Sequence, residues 1–276
     1  NYVYSLRETT PPPSESGLIT AKRLDGALPA RADDERWNEV PPTTLYLVPN
    51  IIKEERLFTP LNDAVTVRVA YNEKDVAFLL EVDDRTMSLP GDEYFTELMD
   101  ESLEMHADAL AMEFPLETSF ETEPVVVKPL YRHGDAARPT TIWYWNAGSR
   151  EPEMPARAAL IDASGPDEEL KVREDDTSLS AQGEWKDGRW RVLMKRGRRD
   201  AEGDVSFDDG RFIPIAFANW DGSNGEVGSK HTLSTWYWLT LPPESNIAKT
   251  FGLPAGIGLL AFLAGFSLVR SQRRES

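Results

Sequence analysis

Three histidines, His106, His133 and His231, are all the imidazole this 276-residue chain contains, and it has no cysteine. A three-histidine metal centre would therefore need every one of them. Disulfides, thiolate metal sites, iron–sulfur ligation and Cys nucleophiles are excluded together. The sequence also lacks G-x-S-x-G, P-loop, G-x-G-x-x-G and H-E-x-x-H motifs. With 47 Asp and Glu, close carboxylate pairs arise by chance, so no glycosidase-like dyad is read from them. Catalysis by this chain alone is not expected. What remains is binding of a metal or cofactor through His, Met, Lys, Tyr or carboxylate. His133 stands in Lys128-Pro129-Leu130-Tyr131-Arg132-His133-Gly134-Asp135, a loop-like stretch before the aromatic run Ile142-Trp143-Tyr144-Trp145. A neutral imidazole is a common metal ligand, and a glycine beside it would let a flat ring approach the backbone. Judged by its residues alone, His133 reads as a hydrogen-bonded surface histidine before it reads as a ligand. His106 and His231 read as ordinary polar residues.

The elements that must position these side chains are strands. Apolar and polar residues alternate in Val65–Tyr71, Val76–Val82, Ala109–Phe114, Thr141–Trp145, Trp190–Lys195, Ile213–Trp220 and Ser234–Leu239. Asn72-Glu73-Lys74-Asp75 makes the first two a hairpin, and Lys186-Asp187-Gly188-Arg189 turns another pair. The expected fold class is mainly β, an antiparallel β-sandwich over residues 17–241, with one C-terminal transmembrane helix and a further short helix within Pro90–Glu104. Residues 1–16, which include three consecutive prolines, are expected to be a flexible lead-in. The charge-dense runs Asp167–Asp176 and Arg196–Asp204 are expected to be solvated loops.

Charge sets the surroundings. Thirty Lys and Arg against 47 Asp and Glu leave −17, which excludes a nucleic-acid footprint because phosphate binding needs clustered positive charge. Only nine of the cations are lysines. A surface of Asp, Glu and Arg fits a protein kept soluble in concentrated salt, and a halophilic source is expected. Residues 250–269 carry no charge and are long enough for a spanning helix. Arg270, Arg273 and Arg274 follow at once, so the tail 270–276 is expected in the cytoplasm and the acidic body outside, as a single-pass protein of the cell membrane. Residues 242–249 form a short juxtamembrane spacer.

Asp108–Pro115, the His133-Gly134 loop ahead of Ile142–Trp145, Trp190–Arg196 and Ile215–Glu226 together resemble the haem b-binding γ subunit of ethylbenzene dehydrogenase and its relatives. Those relatives serve dimethylsulfide dehydrogenase and chlorate, selenate and nitrate reductases. The resemblance runs through residues 37 to 241, and Phe217-Ala218-Asn219-Trp220-Asp221-Gly222 is its most distinctive part. It implies a non-catalytic electron-transfer subunit holding one haem b. Its partners would be an iron–sulfur subunit, a molybdopterin catalytic subunit and a quinone-linked or soluble redox carrier, with respiratory nitrate reductase the favoured complex. The family usually has a Met and a Lys as axial ligands. Where relatives have Met-Gly this chain has His133-Gly134, so the first ligand is carried to His133. Lys195 is the expected second, because a lysine at the inner end of an apolar strand must be neutral or metal-bound to be buried. Met194, Met112 and Lys230 compete with it. Trp143, Trp145 and Trp220 are expected to contact the haem, and Trp236 and Trp238 are further candidates. The rival reading is a membrane-anchored carbohydrate-binding sandwich, since the Val65–Asp84 hairpin also resembles such modules and exposed aromatic rings stack on sugars.

Overall fold

Strands whose side chains alternate between two environments must bury one face, and here that face is shared by two sheets. A computed structural model describes residues 14–91, 104–116, 133–150, 154–199 and 204–243. Its strands, in chain order, begin with β1 (Leu18–Thr20), β2 (Lys22–Arg23), β3 (Thr43–Tyr46), β4 (Val48–Pro49), β5 (Ala64–Tyr71) and β6 (Asp75–Asp83). Next come β7 (Ala109–Pro115), β8 (Thr140–Asn146), β9 (Arg157–Ala163), β10 (Lys171–Val172) and β11 (Ser180–Lys186). The last are β12 (Arg189–Gly197), β13 (Phe212–Trp220), β14 (Thr232–Leu233) and β15 (Tyr237–Thr240).

One sheet runs β1-β15-β13-β7-β8-β9-β10, with β14 and β4 branching from β13; the other runs β11-β12-β6-β5-β2, with β3 beside β5. Pairing is antiparallel except at two places, β1 with β15 and β2 with β5. The expected sandwich is thus mixed at its N-terminal strands and antiparallel elsewhere. The inner faces of the two sheets close one apolar core, to which β5 and β6 contribute Val67, Val69, Phe78 and Leu80, and β7, β8 and β13 contribute Met112, Phe114, Trp143, Ile215 and Phe217. Phe78, Phe114, Trp143 and Phe207 meet edge-on or tilted at centroid distances of 5.1–5.8 Å, the preferred geometry for aromatic pairs.

Both expected turns are present. Asn72 Oδ1 accepts from the amides of Lys74 and Asp75, which closes the β5–β6 hairpin, and Asp187 and Gly188 both take positive φ, as a two-residue type I′ turn requires. The strand expected at Ser234–Leu239 begins only at Tyr237. Strand β11 escapes a periodicity search because its sequence, SAQGEWK, is largely polar. It pairs along its whole length with β12, and Gly183 lets it lie against Trp145, whose ring would be 2.2 Å from a Cβ at that position.

The charge-dense runs are not simply solvated. Arg196 and Asp204, each almost fully buried, pair at 2.6 Å, and Asp204 also accepts from Arg173 at 2.7 Å. Arg173 in turn holds Asp162 on β9. Burial pushes the Asp204 carboxyl up, but the hydrogen bonds from Arg173 and Arg196 outweigh it and hold the group below the usual carboxylate range. No helix among the described residues is long and apolar enough to cross a membrane. The spanning helix expected at 250–269, the tail after it and nearly all of the spacer and lead-in lie outside the described residues, as does most of the expected helix within Pro90–Glu104.

Candidate cofactor site

Small side chains leave a hollow on the outer face of the larger sheet. The side chains of Ala109 and Ala111 on β7 and of Ala216 and Ala218 on β13 line this face, with Ala218 directly opposite Ala111 in the register. Alanine rises little above the pleat, so larger neighbours form walls around a shallow floor. The result is a cavity of about 590 Å³, within the range of cofactor sites. Ile142 and Tyr144 of β8, Ile161 of β9, Trp220 and Trp236 line it on other sides. Asn50 ties one wall to another: its amide donates to the His231 carbonyl at 2.9 Å, and its side chain donates to the Ser229 carbonyl at 2.8 Å. Lys53, also in the lining, donates to the Pro166 carbonyl at 3.2 Å.

All three histidines line this one cavity. His133 adopts positive φ (68°), an unusual conformation for a non-glycine residue, and the following Gly134 does the same. Its Nδ1 is buried with no hydrogen-bond partner among the described residues and lies 3.5 Å from Glu113 Oε1, longer than a hydrogen bond. Glu113 is anchored by the Thr140 hydroxyl at 2.7 Å. Gly134 is needed by its own turn rather than by an approaching ring, since a Cβ there would lie 2.2 Å from the Arg138 carbonyl. His231 packs its ring against Trp220 at 4.6 Å, and its Nδ1 is 2.9 Å from the Gly228 carbonyl. A carbonyl can only accept, so Nδ1 carries the proton and Nε2 keeps the lone pair. Burial, aided by the neighbouring His133, lowers the His231 pKa to about 4, so the imidazole is neutral. Glu226, also in the lining, is pushed up to about 7 by burial even though Asn224 and the Asp221 amide donate to it.

The pleat decides which expected residues reach the cavity. His133 and Trp220 do. Trp143 and Trp145 do not line it: they lie on the opposite face of β8, fully buried between the sheets, and are equally unavailable to stack on a sugar. Met112 and Met194 occupy the same inner core. Lys195 is not at an inner end. Met194 faces inward on β12, so Lys195 projects from the other side of the smaller sheet, half-exposed and 3.3 Å from Asp75. It is not brought together with His133. Lys230 donates to the Asn224 carbonyl at 3.0 Å.

Residues 160–232 match the family model described as ethylbenzene dehydrogenase. That span takes in the end of β9, β10 to β13 and His231, and it leaves out His133. A Haloferax mediterranei protein that carries the name of a respiratory nitrate reductase heme subunit is 28% identical over 159 residues, 55% of this chain and 52% of its own length. The chlorate reductase subunit gamma of Ideonella dechloratans is 30% identical over 134 residues, 48% of this chain and 49% of its own. The chain thus spans about half the length of these curated relatives. Among solved structures, a family 9 carbohydrate-binding module from Caldicellulosiruptor kristjanssonii aligns with a TM-score of 0.44 at 10% identity, covering 83% of this chain and 97% of the module.

The Trp220-Asp221-Gly222 stretch, inside the matched span, also reaches a feature that pattern reading missed. Asp221, the cap of the short helical turn Gly222–Asn224, lies with Asp84 and Asp108 so that one carboxylate oxygen from each falls within 4.8 Å of the others. Asp108 joins three segments, accepting from the Ser88 amide at 2.6 Å, the Trp190 indole at 2.9 Å and the Gly222 amide at 2.8 Å. Burial raises its pKa to about 7. At Gly222 a Cβ would lie 1.8 Å from the His106 carbonyl, so only glycine lets the turn close on the segment that leads into β7. Sequence shows Asp-Gly here, but not that three carboxylates far apart in the chain converge behind it.

Proposed function

We propose that the chain is a non-catalytic, haem-carrying electron-transfer subunit of a molybdopterin oxidoreductase complex of the nitrate or chlorate reductase kind. The three-histidine cavity would hold the haem b, and His133 would be one of the residues that bind its iron. The observation that carries the reading is the cavity itself: a floor of four alanines, a size suited to a cofactor, and a strained loop that brings the His133 imidazole to its edge. That residue set fits an iron porphyrin. The apolar floor and Trp220 suit the macrocycle, an imidazole suits the iron, and Glu113 stands behind His133, where a carboxylate orients a metal-bound histidine. When bound, the haem supplies a one-electron couple. The protein's own residues would offer the ring an apolar floor and orient the imidazole.

The names of the two relatives support the assignment to a reductase complex. The partners of this reading are an iron–sulfur subunit and a molybdopterin subunit, with a quinone-linked or soluble carrier at the other end, and nitrate as the preferred terminal substrate. The uncharged run 250–269 followed by arginines supports a single membrane anchor with the acidic domain on the extracytoplasmic face. Lys195 has no part in this reading.

The test is a reduced-minus-oxidised spectrum of the purified chain expressed with haem available. A Soret band and a b-type α band are expected, and their absence overturns the reading. His133→Ala should abolish the low-spin spectrum or shift it strongly; an unchanged spectrum removes His133 from the site.

A further inference from the structure

We propose that His231 is the second axial ligand, so that the iron is held between two imidazoles. This rests on the haem reading above and names a ligand that neither the matched family's Met and Lys nor the expected Lys195 supplies.

The two histidines stand at opposite ends of the alanine floor. His133 faces Glu113, and His231 packs on Trp220, whose register partner on β7 is Ala109. From Ala109 to Glu113 is four steps of strand, about 13 Å. Side chains entering from the two ends can meet over the small residues between, where there is room for a flat ring standing on the sheet. His231 Nδ1 has the Gly228 carbonyl as its acceptor, so Nδ1 bears the proton and Nε2 is free for a metal. His133 Nδ1 faces the Glu113 carboxylate at 3.5 Å, on the side where a carboxylate would orient the ring. The Trp220 ring and the Asn50 hydrogen bond to the His231 carbonyl hold the ligand in place before any metal arrives. Lys195, by contrast, lies beyond the opposite sheet, and Met112 and Met194 are enclosed in the core.

The experiment is near-infrared and EPR spectroscopy of the ferric full chain, loaded with haem, as wild type and as His231→Ala, His231→Met and His106→Ala. Wild type should show the charge-transfer band of a two-imidazole haem, without the sulfur-to-iron band of a methionine ligand. His231→Ala should keep haem but turn it largely high-spin, and added imidazole should restore the low-spin form. His231→Met should stay low-spin, acquire the sulfur band and show a raised potential. Should His231→Ala fail to fold, the wild-type band and the methionine variant decide. A wild-type amine or thioether signature, an unaltered His231→Ala spectrum, or loss of the low-spin form only in His106→Ala overturns the proposal while leaving the haem reading intact. A wild type that binds no haem overturns both.

Discussion

At the level of single residues, the cavity owes its character to groups held away from their ordinary ionisation. Glu226 is buried and titrates near 7, above its value in an unfolded chain. A carboxyl raised on folding contributes stability that is complete below its unfolded pKa, near 4.5, and is lost as pH rises through about 7. His231 works the other way, because a lowered imidazole favours the fold above about 6.5 and loses that contribution as pH falls towards 4. A wild-type melting profile therefore mixes opposing slopes, and a difference measurement separates them. Relative to wild type, Glu226→Gln should gain stability as pH rises from about 4.5 to 8, by on the order of 1–3 kcal/mol. Melting curves of both proteins across that range check it, and a constant gap would show that burial does not perturb Glu226. His133 illustrates a limit of sequence at this scale: its loop setting was readable, but positive φ and an unpartnered nitrogen are properties of the folded loop.

At the level of elements, the alternation rules located most of the long strands, because a strand with one buried face must repeat every two residues. They failed where burial does not follow that pattern. The polar strand β11 is held by backbone pairing with β12, and β15 is shorter than the apolar run that contains it. The runs expected to be solvated share a buried arginine–carboxylate network, since charges distant in sequence neutralise one another only after the chain has folded. Asp204 is the centre of that network. Asp204→Asn replaces the buried carboxylate that both guanidiniums share with a neutral acceptor, and should cost about 3–5 kcal/mol. Urea denaturation checks this. A loss below about 1 kcal/mol would mean that Asp162 and Asp176 compensate.

For the molecule as a whole, the sign and composition of its charge were set before folding. A net charge of −17 carried mostly by Asp and Glu repels itself in dilute buffer, and salt screens that repulsion. The expected outcome is a melting temperature that climbs from dilute to molar potassium or sodium chloride; a temperature independent of salt would sink the idea of a halophilic protein. Composition likewise excluded thiolate chemistry, since that depends only on which side chains exist. Alternation announced a β-sandwich because its period is local. Whether a given residue faces the core or the outer cavity was a different matter. Trp143 and Trp145 sit one position away from Tyr144 on the same strand, yet the sheet sends them inward and Tyr144 out. Lys195 follows Met194 and is sent to the far side of the molecule. His106, His133 and His231 are separated by 27 and 98 residues and share one cavity only because β7, β8 and β13 lie side by side. Residue types and local periods are properties of the chain; facing and convergence depend on which sheet a strand joins and which partner it takes, and only the tertiary structure decided those.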